Sequence, residues 1–426
     1  MLVSTKKQFL FLFIFLLCFC NKADTEPPTI TISSPLNNET FQIPCNINVI
    51  GTTQDNTNID RIEIDLVSEN SAAIIQKLEI DADTNYFKFD ISLAINDRLL
   101  NSGNYYLNIK SFDENQNISS SYISLNINEL PRFLVSQYYI LGNHNQAQLY
   151  ELDSNSNLQL RYPNIGNYKS SLVNSKHQYF FFLNDQMGWS IDPINFNSLW
   201  DLSSNISFFN LFTGISKTNN NDQTHLCFSD GRLFTINKEG NIINAIYSTN
   251  QESFGVFYVD NDLVLMESYS NTIQKQIVVF FRQSGIEKKR ITIDSDVIKI
   301  IPINHQQYMI IANQLNKTFL NIYDENLNIL FTETELLNSE VLDVFKLNNH
   351  ILLGTSNGVL TYNLDLKTLN NLNPNLVVQK FVYDEYSENL FLICGKELWN
   401  YSSISNLNLV NTFNDSIKDY LLLYNK

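Results

Sequence analysis

The side chains best suited to chemistry are acidic and aromatic, and they fall between strand-like segments. Tyr168, Glu252, Asp294, Asp296, Glu340 and Asp415 all sit in short connecting stretches. Two such carboxylates about 5–10 Å apart would make the acid/base pair of a hydrolase or lyase acting on polysaccharide. Standing apart, they are solvated loop charges, the reading favoured by 44 Asp+Glu against 28 Lys+Arg. Four histidines, His177, His225, His305 and His350, fall near turns with no Cys or carboxylate at ligand spacing. They read as polar turn residues rather than a metal cluster. Asp55, Asp60 and Asp113 offer the oxygen ligands that Ca²⁺ takes, but without an EF-hand spacing. Turn capping by Asp and Asn explains them better. No phosphate-binding Walker loop and no His-Glu-x-x-His occurs. The chain thus points to binding rather than catalysis, with no catalytic residue, no resident metal and no cofactor expected.

A repeat must position these residues. Cys227–Ile246 reads as strand, Asp-Gly turn, strand, a second turn at Lys238–Asn241, and strand. The unit recurs from Phe133 to the C-terminus. Equivalent third-strand positions are Leu152, Ile191, Ile236, Phe281, Tyr323, Leu364 and Tyr401, separated by 39, 45, 45, 42, 41 and 37 residues. A period in the low forties made only of strands predicts four-stranded propeller blades. The first unit lacks its inner strand, and the last is followed by a lone one, Tyr420–Tyr424. Pairing that strand with Gln137–Leu141 completes seven blades and covers an exposed edge. The expected fold is all-β, a seven-bladed β-propeller over 133–426 closed by the C-terminal strand.

Composition narrows the partners. The net charge of −16, or −18 once Lys6 and Lys7 are removed, argues against nucleic acid and anionic lipid surfaces. Residues 1–19 carry Lys6, Lys7 and an apolar run of eleven, Phe9–Phe19, too short to span a bilayer. Leu17 and the Cys18-Phe19-Cys20 sequence give this segment the look of a bacterial lipoprotein signal. That resemblance implies export, acylation of Cys20 and attachment to an outer membrane or cell surface by the lipid alone. A periplasmic or secreted soluble protein is the other outcome. Cys45, Cys227 and Cys394 are expected as buried free thiols, because blades three or four positions apart cannot bring cysteines within the ~7 Å a disulfide allows.

After a linker at 20–27, residues 28–129 change to short strands without the repeat. Seven are expected, at Thr29–Ser33, Cys45–Thr52, Ile59–Val67, Ile74–Ile80, Tyr86–Ile91, Gly103–Phe112 and Ser121–Ile127, as a β-sandwich. The stretches PPTITISSPLNNETF, GTTQDNTNIDRIEIDL and SGNYYLNIKSFDENQN resemble the opening, B–C and F–G regions of bacterial immunoglobulin-like domains, found as stalks and spacers on exported proteins. LYELDSNSNL and LFTINKEGNII resemble the degenerate repeats of quinoprotein-like and WD40-like propellers. These resemblances imply architecture only. The favoured function is a surface-anchored binding or scaffold protein whose propeller loop face takes a protein, peptide or glycan. A polysaccharide hydrolase or lyase and a purely structural envelope component are the alternatives.

Overall fold

The computed structural model describes residues 24–70, 74–142, 146–153, 155, 157–202, 212–217, 223–248, 252–270, 275–403 and 406–426. Every element in them is a β-strand. Two compact units meet in sequence at Pro131 and Arg132. Cys20 and residues 1–19 lie outside the described residues.

The first unit contains β1 (Thr29–Ser34), β2 (Glu39–Gln42), β3 (Cys45–Ser68), β4 (Ile74–Ile95), β5 (Gly103–Asp113) and β6 (Ile118–Asn128). They pair in the order β1-β3-β5-β6-β2, with β4 running along β3. Period-two alternation creates its core: Ile47 and Val49, Ile62, Ile64 and Leu66, Leu107 and Ile109, and Ile123, Leu125 and Ile127 are all buried together. The strand list differs from the sequence reading. Cys45–Thr52 and Ile59–Val67 join into β3, and Ile74–Ile80 and Tyr86–Ile91 into β4. The register shifts between Gln54 and Ile59, so the polar stretch Asp55–Asn58 is absorbed as an irregularity inside a strand rather than released as a B–C loop. The first part of β3 pairs with β1 and the second with β5. The parallel partner of β6, the short β2, had no signal in the sequence.

The second unit holds seven four-stranded sheets among the described residues. Sheet one takes its first strand from the chain's end, Ile417–Tyr424, followed by Leu134–Leu141, Ala147–Leu152 and Leu158–Gly166. Tyr420 stands opposite Tyr139, and Leu422 opposite Gln137. Sheets two to seven are continuous in sequence and begin at Tyr168–Asn174, Phe212–Lys217, Ser253–Val259, Asp296–Pro302, Val341–Leu347 and Lys380–Asp384. Six of the seven repeat positions lie in third strands, and Leu364 is one residue past Gly358–Asn363.

Burial explains the repeat. Second strands such as Tyr179–Asn184, Leu263–Tyr269 and Gln307–Gln314 are buried on both faces, whereas the fourth strand Thr368–Asn373 is largely exposed. A sheet flanked by two others hides both faces of its inner strands, and this is why those strands read as unbroken apolar runs. First strands touch in succession, sheet two against three, three against four, and onward to sheet seven. Sheet seven's first strand touches Ile417–Tyr424, which also touches that of sheet two. In six sheets the first strand carries a register shift near its start, for example between Tyr168 and Ser170 and between Ile417 and Asp419. Such a bulge raises local twist. The Asn357-Gly358 turn shows why glycine is needed. Gly358 has φ +119°, and a Cβ there would lie 2.3 Å from the Asn373 carbonyl oxygen.

Candidate functional site

The six loop residues singled out by sequence do not share one environment. Tyr168 and Glu252 are buried. Tyr168 Oη donates to Asp419 Oδ2 at 2.8 Å, Ser171 Oγ donates to the same oxygen at 2.7 Å, and Lys380 Nζ lies 2.7 Å from it. Burial, and then the nearby Asp419 charge, push the Tyr168 phenol well above its usual range. Glu252 accepts from Ser268 Oγ at 2.8 Å and pairs with Arg290 at 2.5 Å. Both residues tie strands together. Asp294, Asp296, Glu340 and Asp415 are exposed, and Asp296 forms an ion pair with Lys275.

A cleft of about 500 Å³ opens between sheets one and two. One wall is the end of sheet one's fourth strand and the residue that links it to sheet two, residues 164–167; the other is the second-to-third-strand hairpin of sheet two, residues 184–187. Asn184 staples the walls: its Nδ2 donates to the Ile165 carbonyl at 3.1 Å, while its Oδ1 accepts the Gln186 and Met187 N–H groups, each at 2.8 Å. Asn167 donates to Asp185 at 2.8 Å, and Lys169 pairs with Asp185 at 2.9 Å. Tyr162 and Trp189 also line the cleft, their ring centroids 6.5 Å apart. None of the six loop residues does. The sequence reading passed over this cleft because its walls come from different repeats. The one local signal was Trp189 directly after the turn at Asn184–Gly188.

In the first unit, carboxylate oxygens of Asp24, Asp55 and Asp113 lie within 4.8 Å of one another. Two of these are expected residues; Asp24 belongs to the linker. Asp60 stands apart, 52% exposed at its side chain and paired with Arg61 at 2.8 Å. Local donors already engage the cluster. Asn56 donates to Asp24 at 3.1 Å, the single Thr57 hydroxyl hydrogen is shared between Asp55 at 2.9 Å and Asp24 at 3.2 Å, and Asn117 donates twice to Asp113 at 2.6 Å. The Asn56 bond comes first among the causes holding the Asp24 carboxyl below its usual range.

The histidines are dispersed. His225 is buried in a second strand with Nδ1 2.9 Å from Thr235 Oγ1, and His350 Nε2 lies 3.1 Å from Asn363 Nδ2. His177 and His305 occupy first-to-second-strand turns. The three cysteines among the described residues are free, but only Cys227 is buried; Cys45 and Cys394 are half-buried. That corrects the expectation of three buried thiols, because Cys45 opens β3 and Cys394 closes a second strand, where cover is incomplete. Burial pushes the Cys227 and Cys394 thiols up to about 12. One motif was missed in the sequence: Gly354-Thr355-Ser356-Asn357-Gly358 has the Gly-x-Ser-x-Gly spacing. It forms a hairpin between antiparallel strands, with Ser356 N–H donating to the Glu340 carbonyl at 2.9 Å. A nucleophile elbow needs a strand-to-helix turn, so the match carries no hydrolase assignment.

Residues 28–109 match the family model described as bacterial Ig domain. No curated protein matches the chain. Similar solved structures include a chain of a mitotic checkpoint complex, 13% identical with a TM-score of 0.45, covering 57% of this chain and 77% of that one. Another is the computationally designed Ika8 protein, 10% identical with a TM-score of 0.41, covering 56% and 86%.

Proposed function

We propose that this chain is an exported binding protein of the cell envelope. An acylated Cys20 and the immunoglobulin-like domain carry a closed seven-bladed propeller, whose loop face takes a protein, peptide or glycan. Support for closure comes from the C-terminal strand lying in sheet one and from first strands that touch in unbroken succession. Support for an outer-membrane or cell-surface position comes from the bacterial Ig match and the lipoprotein-like leader. One observation carries the binding reading. The cleft is formed by the end of one sheet's fourth strand and a hairpin turn of the next sheet, and its size falls within the roughly 300–1,000 Å³ of ligand sites.

The test uses the full-length chain produced in a bacterial host. Membrane fractionation should retain the wild type and release the Cys20→Ser variant. Purified chain should be retained saturably by either the protein or the polysaccharide fraction of delipidated envelopes, and Gln186→Arg should abolish that retention. Absence of saturable retention overturns the binding reading. Release of new reducing ends from the polysaccharide would instead favour the hydrolase alternative.

A further inference from the structure

We propose that the cleft between sheets one and two binds a neutral saccharide. This rests on the loop-face binding reading and names the ligand class. The first argument is charge. Among the described residues no Lys or Arg lines the cleft, and the two charged residues that do, Asp185 and Asp201, are acidic. An anionic ligand would meet no counter-charge there. A cation is served little better, since Lys169 sits 2.9 Å from Asp185 and an Asn167 amide donates to the same carboxylate. The cleft therefore suits an uncharged ligand.

The second argument is hydrogen-bonding capacity. Asn164, Gln186 and Ser198 line the cleft, and among the described residues their side-chain polar groups have no hydrogen-bond partner. An amide presents a donor and an acceptor side by side, and a hydroxyl is both at once. That combination matches vicinal sugar hydroxyls, which also donate and accept. It matches a peptide side chain of single polarity less well.

The third argument is the aromatic pair. Tyr162 is half-buried and packs near Trp189, which is 5% exposed. The exposed part of the Tyr162 ring, backed by the buried Trp189, offers flat apolar surface to the C–H face of a pyranose while leaving its hydroxyls to the amides. Trp189 Nε1 is itself buried with no hydrogen-bond partner. Buried polar groups are nearly always paired.

The experiment is isothermal titration of the full chain with neutral di- to tetrasaccharides of glucose and of N-acetylglucosamine. The corresponding uronic-acid oligomers and a lysine-rich peptide serve as comparisons. At least one neutral series should bind at one site per chain. Gln186→Ala and Asn164→Ala should each weaken it about tenfold, or about 1.4 kcal/mol. Tyr162→Ala, which removes the aromatic wall, should do the same, and Trp189 packed behind that ring should report binding as a fluorescence change. The two amide variants are surface changes, so their unfolding midpoints should match the wild type. Tighter binding of the uronates or the peptide overturns the assignment, as does neutral-sugar binding indifferent to the amide variants. If no neutral sugar binds while envelope fractions still retain the chain, the saccharide assignment falls and the loop-face reading stands. Loss of both removes the two together.

Discussion

Asp419, in the last strand of the chain, accepts a hydrogen bond at 2.8 Å from Tyr168, which stands 251 residues earlier at the start of sheet two. Ser171 and Lys380 converge on the same oxygen from sheets two and seven. One buried carboxylate thus bridges the first strands of both neighbours of sheet one. Removing it leaves two buried hydroxyls without their acceptor, a loss of several coupled bonds rather than one. Asp419→Ala should lower stability by about 2–4 kcal/mol, whereas Tyr168→Phe should cost about 1 kcal/mol. Urea unfolding measures both. Equal effects of the two variants would deny Asp419 its bridging role.

The C-terminal strand is held by more than its ladder. Phe133 N–H donates to Asn425 Oδ1 at 2.9 Å, Asn425 N–H donates back to the Phe133 carbonyl at 3.1 Å, and Arg132 lies 5.0 Å from the Tyr424 ring centroid. Deleting residues 417–426 would bare the edge of Leu134–Leu141 and unpack Tyr139, Leu141 and Ile393 from their cluster. The truncated protein should aggregate on size exclusion and lose its cooperative thermal transition. A synthetic 415–426 peptide should partly restore both. A monomeric truncation with unchanged melting would mean that the strand is not needed to hold sheet one together.

The repeat was legible because period and burial say the same thing: a sheet stacked between two others needs apolar inner strands every forty residues or so, and Phe180–Leu183 or Met309–Ala312 supply them. The C-terminal strand was legible as an apolar segment with no unit of its own. What was not legible depends on contacts between units. Asn184 reads as a turn former, and nothing local says that its amide staples the last strand of the neighbouring sheet. Asp419 reads as one charge among many, since its partners lie in Tyr168, Ser171 and Lys380. In the first unit, Asp55–Asn58 looks like a loop by composition, yet pairing with β4 on either side carries β3 through it.

The Asp24, Asp55 and Asp113 cluster gives a prediction about calcium. Its oxygens already accept from Asn56, Thr57 and Asn117, so the carboxylates act as caps that fix the turn after β5 and the entry to β1. Asp113→Ala removes two bonds to Asn117 from a residue that is 1% exposed. It should cost about 2 kcal/mol. Calcium at ~1 mM should shift the unfolding midpoint of the wild type by less than about 1 °C, since a ligand stabilises only in proportion to its occupancy. Calorimetry with calcium and with chelator checks this. A rise of several degrees, lost in Asp24→Asn, would convert the cluster from cap to metal site.

His225 should make stability fall on the acid side of neutrality. It is 1% exposed, its Nε2 is buried without a hydrogen-bond partner, and burial, followed by the charge of Arg282, lowers it to about 4. The unfolded chain holds this group near its ordinary value of 6.5. Above that value both states are neutral and the contribution is complete. Between 6.5 and about 4 only the unfolded chain takes up the proton, so stability drops with falling pH. Below the folded value both states are protonated and the loss levels off at about 3 kcal/mol. Acidic side chains also titrate toward the lower end, so the informative quantity is the difference between wild type and His225→Asn. Urea unfolding at several pH values from neutral to about 4.5 should show a shallower decline in the variant, by close to one proton. Parallel profiles would mean that His225 is hydrated, and therefore protonated, in the folded protein at the same pH as in the unfolded chain.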